Sequence, residues 1–76
     1  MTEKEFMDIF AENLIDAMQE TGISQSELAK EARLTEASIS RYLSRDRMVS
    51  SRAIVNIAIA LNCNLDDLIP FYDLID

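Results

Sequence analysis

Apolar residues near the start of the chain recur at three- and four-residue steps: Phe6, Phe10, Leu14, Ala17 and Met18. That is the helical period, so the spacing predicts an amphipathic helix from about Glu3 to Thr21. Gly22 follows, the residue best suited to a left-handed C-terminal cap. Ser24-Gln-Ser-Glu27 has the spacing of a capping box, in which hydroxyl and carboxylate satisfy the free amides of a new helix. The second helix is short, Gln25 to about Ala32, with Leu28 and Ala29 turned inward. Thr35-Glu-Ala-Ser38 offers another N-cap and opens a third helix through Ser44, with Ile39, Tyr42 and Leu43 on its apolar side. Between these two helices Arg33-Leu34 makes a tight connection without Gly or Pro.

A polar, basic stretch, Ser44-Arg45-Asp46-Arg47, separates the third apolar segment from the fourth, with Ser50 and Ser51 as candidate caps. The segment Arg52 to Leu61 is ambiguous: Ile54, Val55, Ile57 and Ile59 favour strands by propensity. A lone strand would have no partner here, so a nearly all-round buried helix is the better reading. Asn62 ends it, and Asn64 with Asp67 caps a fifth, short helix through about Ile69, stopped by Pro70. The tail 70–76, with Phe71, Tyr72, Leu74 and Ile75, is more apolar than a solvated tail should be. Five helices with tight connections predict a compact all-α domain over residues 1–76, without repeat, low-complexity segment or linker.

Composition narrows the chemistry. The chain of 76 residues has no His and one Cys, which excludes zinc-finger spacing, disulfide frameworks and His-dependent acid–base catalysis. No nucleophile–base pair or ligand set stands out, so neither an enzyme nor a bound metal or cofactor is expected. One Gly and one Pro leave too few turns for a sandwich or barrel. The most apolar run, Ala53 to Leu61, is interrupted by Asn56 and is far short of the roughly 20 residues that span a bilayer. The N-terminal stretch sets Lys4 against six acids, the reverse of a basic leader. A cytoplasmic protein is expected, and Cys63 reads as a small buried residue.

Two short helices joined by a tight turn have the proportions of a helix-turn-helix. Four pieces in order sharpen this: Gly22-Ile-Ser-Gln-Ser-Glu-Leu-Ala29, Leu34-Thr-Glu-Ala-Ser-Ile-Ser-Arg41, Ile57-Ala-Ile-Ala-Leu61 and Leu65-Asp-Asp-Leu68. In these the chain resembles the phage-repressor and Cro-like helix-turn-helix regulators, the xenobiotic response element family, over about residues 10–69. The resemblance implies a five-helix lambda-repressor-like domain. It also implies sequence-specific binding of double-stranded DNA by a transcriptional regulator of repressor type, usually a homodimer. The third helix of such proteins enters the major groove. By position, Thr35, Glu36, Ala37 and Arg41 match the family's base-facing residues, Gln25 a phosphate anchor, and Ser44, Arg45 and Arg47 the loop that follows the backbone.

The residues themselves bear on that implication. Arg41 can present a bidentate fork to guanine, and Glu36 can accept from cytosine although it also repels phosphate and serves the helix dipole. Ser38 and Ser40 are small enough to allow close approach and rank lower as candidates. Two positions depart from the family. Many members pair an Arg late in the first helix with a Glu at the end of the third; Met18 and Leu43 stand there instead. Replacing both partners of a buried ion pair by apolar groups is often neutral, so a repacked contact is expected. The basic loop continues as Met48-Val49, which predicts fewer phosphate contacts and modest affinity.

Net charge first argues against DNA: 14 acids oppose 7 bases, for −7. The distribution changes that picture. Residues 30–52 carry six bases and three acids, a positive segment in a chain negative everywhere else, as a one-faced footprint would require. Asp8, Glu12, Asp16 and Glu20 stand at strict four-residue steps, which is either a solvated outer face, or an acidic surface for a protein partner or a guard that keeps the wrong face off DNA. The surplus apolar residues Met7, Ile9, Ile15 and the tail have two readings: a tail folded over the first helix, or a two-fold dimer interface, with dimerisation preferred. The alternative function is a protein-interaction module, antitoxin-like or an adaptor, that keeps the fold without tight DNA binding.

Overall fold

Thr2 starts the first helix. Its hydroxyl accepts the Glu5 amide at 3.1 Å while the Glu5 carboxylate takes the Thr2 amide at 3.3 Å, so the first-turn amides are satisfied reciprocally. In the computed structural model, which describes residues 1–69, α1 spans Glu3–Thr21, α2 Gln25–Ala32, α3 Glu36–Leu43 and α4 Ser51–Leu61. The expected caps do their work. Ser24 accepts the Glu27 amide at 3.1 Å, Thr35 the Ser38 amide at 3.0 Å and Ser50 the Ala53 amide at 3.1 Å. Gly22 ends α1 at φ 72°, and Arg33 and Asn62 take the same left-handed conformation after α2 and α4 at φ 58° and 53°.

Among the described residues the expected fifth helix is a shorter element: four α-helices are followed by one 3₁₀ turn, Leu65–Asp67. The Asp67 carboxylate does accept the Asn64 amide at 3.0 Å, so the capping pair is used as expected. The segment is too short to repay helix nucleation, and Pro70 has no N–H with which to extend it. Burial of Leu68 fixes the turn instead, and its carbonyl accepts the Asn13 side-chain amide of α1 at 3.0 Å. The apolar tail lies outside the described residues.

Each element contributes to one core. Leu14 of α1, Leu28 of α2, Ile39 of α3, Ile57 of α4 and Leu68 after the 3₁₀ turn are fully buried. Phe10 and Tyr42 meet edge to face with ring centroids 6.1 Å apart. No polar or charged side chain is buried among the described residues. Asn56, the interruption in the apolar run of α4, donates to the Ala32 carbonyl at 3.1 Å, satisfying an acceptor that the end of α2 leaves without a helical partner.

Helix α4 differs from the nearly all-round buried helix that its composition predicts. Ala53, Ile54, Ile57, Ala58 and Leu61 are buried, yet Val55 is 43% and Ile59 74% exposed. The helix lies at the edge of the bundle, against α2, α1 and the 3₁₀ turn, so only one side is covered. The expected repacking at Met18 and Leu43 holds: both are half-buried against the core and line one shallow hollow with Ile15 and Ile23.

Candidate nucleic-acid interface

Helix α3 is two turns long and sharply two-sided. Ile39 and Tyr42 anchor it in the core, while Glu36, Ala37, Ser40 and Arg41 are exposed. These four positions, at steps of one and four residues, form one face. Ser40, in the same four-residue row as Glu36 and Ser44, sits in its middle, exposed. The helix is packed on both α1 and α2, which fixes the orientation of this face.

Around it the predicted residues sort into two groups. Thr35, Ser38 and Arg47 are brought together: the Thr35 hydroxyl donates to Ser38 Oγ at 3.0 Å, and the Arg47 guanidinium donates to the same oxygen at 3.2 Å. The loop arginine is thereby held beside the N-terminal turn of α3. Gln25 is exposed at the start of α2, where helix amides and dipole favour an anion. Ser44 closes α3, its Oγ lying 3.3 Å from the Arg41 carbonyl and 3.1 Å from Asp46 Oδ2.

Arg45 is held differently. It is in the left-handed region at φ 66°, and its Nε lies 3.0 Å from Asp8 Oδ1 of α1. A second donor of the same guanidinium reaches the Leu43 carbonyl at 3.1 Å. Asp8 also takes Lys4 at 3.3 Å, so the first member of the acidic row is neutralised, while Glu12, Asp16 and Glu20 stay exposed.

The positive segment is also less one-sided than its position in the sequence predicts. Arg41 and Arg47 stand at α3, Arg45 turns to α1, and Arg33 and Arg52 line a separate hollow with Glu31, Asn56 and Ile59. Arginine charge at the α3 face therefore comes from Arg41 and Arg47, set against the carboxylate of Glu36. Cys63 is half-buried, and desolvation, reinforced by the Asp67 carboxylate, holds its thiol above the ordinary range. It is thus a poor nucleophile at neutral pH. Among the described residues, no group of three or more acidic, Cys or His side chains is placed to hold a metal, and no helix is long and apolar enough to cross a membrane.

Comparison with known proteins fits this geometry. The helix-turn-helix family matches residues 14–68, from mid-α1 through the 3₁₀ turn. The chain belongs to that family. It is a DNA-binding regulator, as its resemblance to the Cro-like repressors implies. A similar solved structure is the restriction-modification controller protein C.AhdI from Aeromonas hydrophila, with a TM-score of 0.78 and 26% identity. That match covers 82% of this chain and 94% of the controller. No curated protein matches the sequence. The protein-interaction alternative is not favoured by these likenesses.

Proposed function

We propose that this helix-turn-helix regulator binds double-stranded DNA in a sequence-specific manner, as a non-catalytic homodimer of repressor type acting in the cytoplasm. Helix α3 enters the major groove with Glu36, Ala37, Ser40 and Arg41 toward the base edges. The observation that carries this reading is the two-sidedness of α3: a polar, small-residue face set rigidly opposite Ile39 and Tyr42. Arg41 reads guanine through its fork. Thr35 stands at the head of that face as a further base-facing residue, and Gln25, Ser44 and Arg47 flank the groove and set the register against phosphates. The exposed acids of α1 repel phosphate and leave the α3 side as the approach.

Selection from random duplexes, followed by binding at two salt concentrations, tests the proposal. The expected result is an enriched pseudo-palindrome with half-sites roughly 34 Å apart and affinity that falls as salt rises. Recovery of no preferred sequence, or a salt slope near zero, would count against it.

Within that proposal Arg45 serves the fold. Replacing it with Ala is expected to leave the salt slope unchanged and to remove about 0.5 kcal/mol, or roughly 2–4 °C of melting temperature. A partly exposed ion pair is worth little more. Thermal melts beside salt titrations check this, and a slope reduced by about 1 would instead place Arg45 on phosphate.

A further inference from the structure

We propose that the apolar hollow between α1 and the end of α3 receives an apolar side chain from a partner protein whose surface around that side chain is basic. Ile15, Met18 and Gln19 of α1, Ile23 of the following turn and Leu43 of α3 line the hollow, about 250 Å³ in volume. That is less than a small-molecule site usually offers and suits a protein side chain instead. The apolar lining residues are half-buried, and Gln19 is exposed at the edge. Four apolar side chains from three segments of the chain thus meet solvent at one place.

Charge decides the occupant. Glu12 stands three residues before Ile15 and Asp16 three before Gln19, so both are helical neighbours of the hollow, and Glu20 continues the row. These three acids are exposed and make no ion pair among the described residues, whereas Asp8 is taken by Lys4 and Arg45. The row therefore keeps a negative potential beside an apolar opening. DNA meets repulsion there. A second copy seated on the same face would bring the same acids with it. Residues 70–76 of the chain carry two acids and no base. A partner with Lys or Arg around an apolar anchor gains twice: the anchor leaves water, and the bases meet unpaired carboxylates. Leu43 is the last residue of α3 and its one contribution to the hollow. Glu36, Ala37, Ser40 and Arg41, the residues proposed to face DNA, take no part in it, so the two contacts use different side chains.

NMR titration of the full chain tests this with a synthetic probe, an Ala-based helical peptide of about 15 residues with Leu along one side and Lys flanking it. Saturable shifts centred on Ile15, Met18, Ile23 and Leu43 are expected. Affinity should fall ~10-fold or more when the probe's Leu residues become Ala, and likewise when its Lys residues become Glu. Glu12→Lys with Asp16→Lys, both at exposed positions, should weaken the Lys probe at least ~10-fold at an unchanged melting temperature. Met18→Arg with Leu43→Glu puts into the hollow the ion pair that many family members carry, and should leave a folded chain blind to the probe. If that pair unfolds the chain, Gln19→Lys at the exposed edge replaces it and should weaken the probe ~3-fold. No saturable binding, shifts along the acidic row with the hollow unmoved, an Ala probe that binds equally, or folded variants that bind equally each overturn the proposal. Hollow shifts that follow protein concentration without probe would assign the site to a second copy. Hollow shifts caused by Phe71→Ala would assign it to the chain's own tail, and either result also overturns the proposal. Selection of an operator is untouched by all of these outcomes and is decided separately.

Discussion

Arg41→Ala is expected to reduce affinity for the selected operator roughly 10- to 100-fold while leaving the melting temperature unchanged. The size follows from one bidentate contact to guanine, about 1–3 kcal/mol of discrimination. Thermal indifference follows from its exposure on α3 and from the absence of any bond made by its side chain among the hydrogen bonds of the described residues; its backbone carbonyl accepts the Asp46 amide at 2.9 Å and the Ser44 hydroxyl at 3.3 Å. The diagnostic is the pattern of loss. Preference should relax at one base pair in each half-site, with the remaining positions as selective as before. Competition binding against a panel of single-base variants reads this directly. A uniform loss over all sequences would assign Arg41 to phosphate, and a lowered melting temperature would assign it to the fold.

Ile39→Ala acts on the other side of the same two turns and has the opposite signature. Ile39 is fully buried, and its truncation removes packing that holds α3 on α1 and α2. Large-to-small changes of this kind cost about 2–5 kcal/mol. A chain this size holds roughly 4–11 kcal/mol in total, so the melting temperature should drop by ~10 °C or more. Calorimetry measures that drop. Below the new midpoint the surviving native molecules should still rank operators as the wild type does, because Glu36, Ala37, Ser40 and Arg41 are untouched. An altered ranking would show that Ile39 also sets the angle of the reading face.

The helices and their caps were legible because each terminus carries residues with a single strong local use. Ser24, Thr35 and Ser50 accept amides three residues on, and Gly22 turns left-handed without steric cost, whereas the cap that Thr2 makes for α1 was not read from the sequence. What was not legible depends on partners distant in sequence. Ile59 has the same local signature as Ile57, and only the edge position of α4 leaves one outside and the other in the core. Asp8 belongs to a regular acidic row, yet it meets Arg45 across the fold. Arg47 is one arginine of a basic loop by sequence; its bond to Ser38 requires the chain to turn back on α3. Of the site, the helix and its face could be read directly, whereas the division of the arginines among three surroundings could not.

The brevity of α3 has a consequence for the life of the protein in the cell. Eight residues are too few to stay helical in water alone, so the reading surface exists only while the whole core does. No partly unfolded molecule can hold its operator, and the operator in turn is a ligand of the intact state alone. Occupancy then protects: at free DNA one hundred times the dissociation constant, binding withholds about 2.7 kcal/mol from unfolding. Proteases that act on opened chains would clear the unbound copies first.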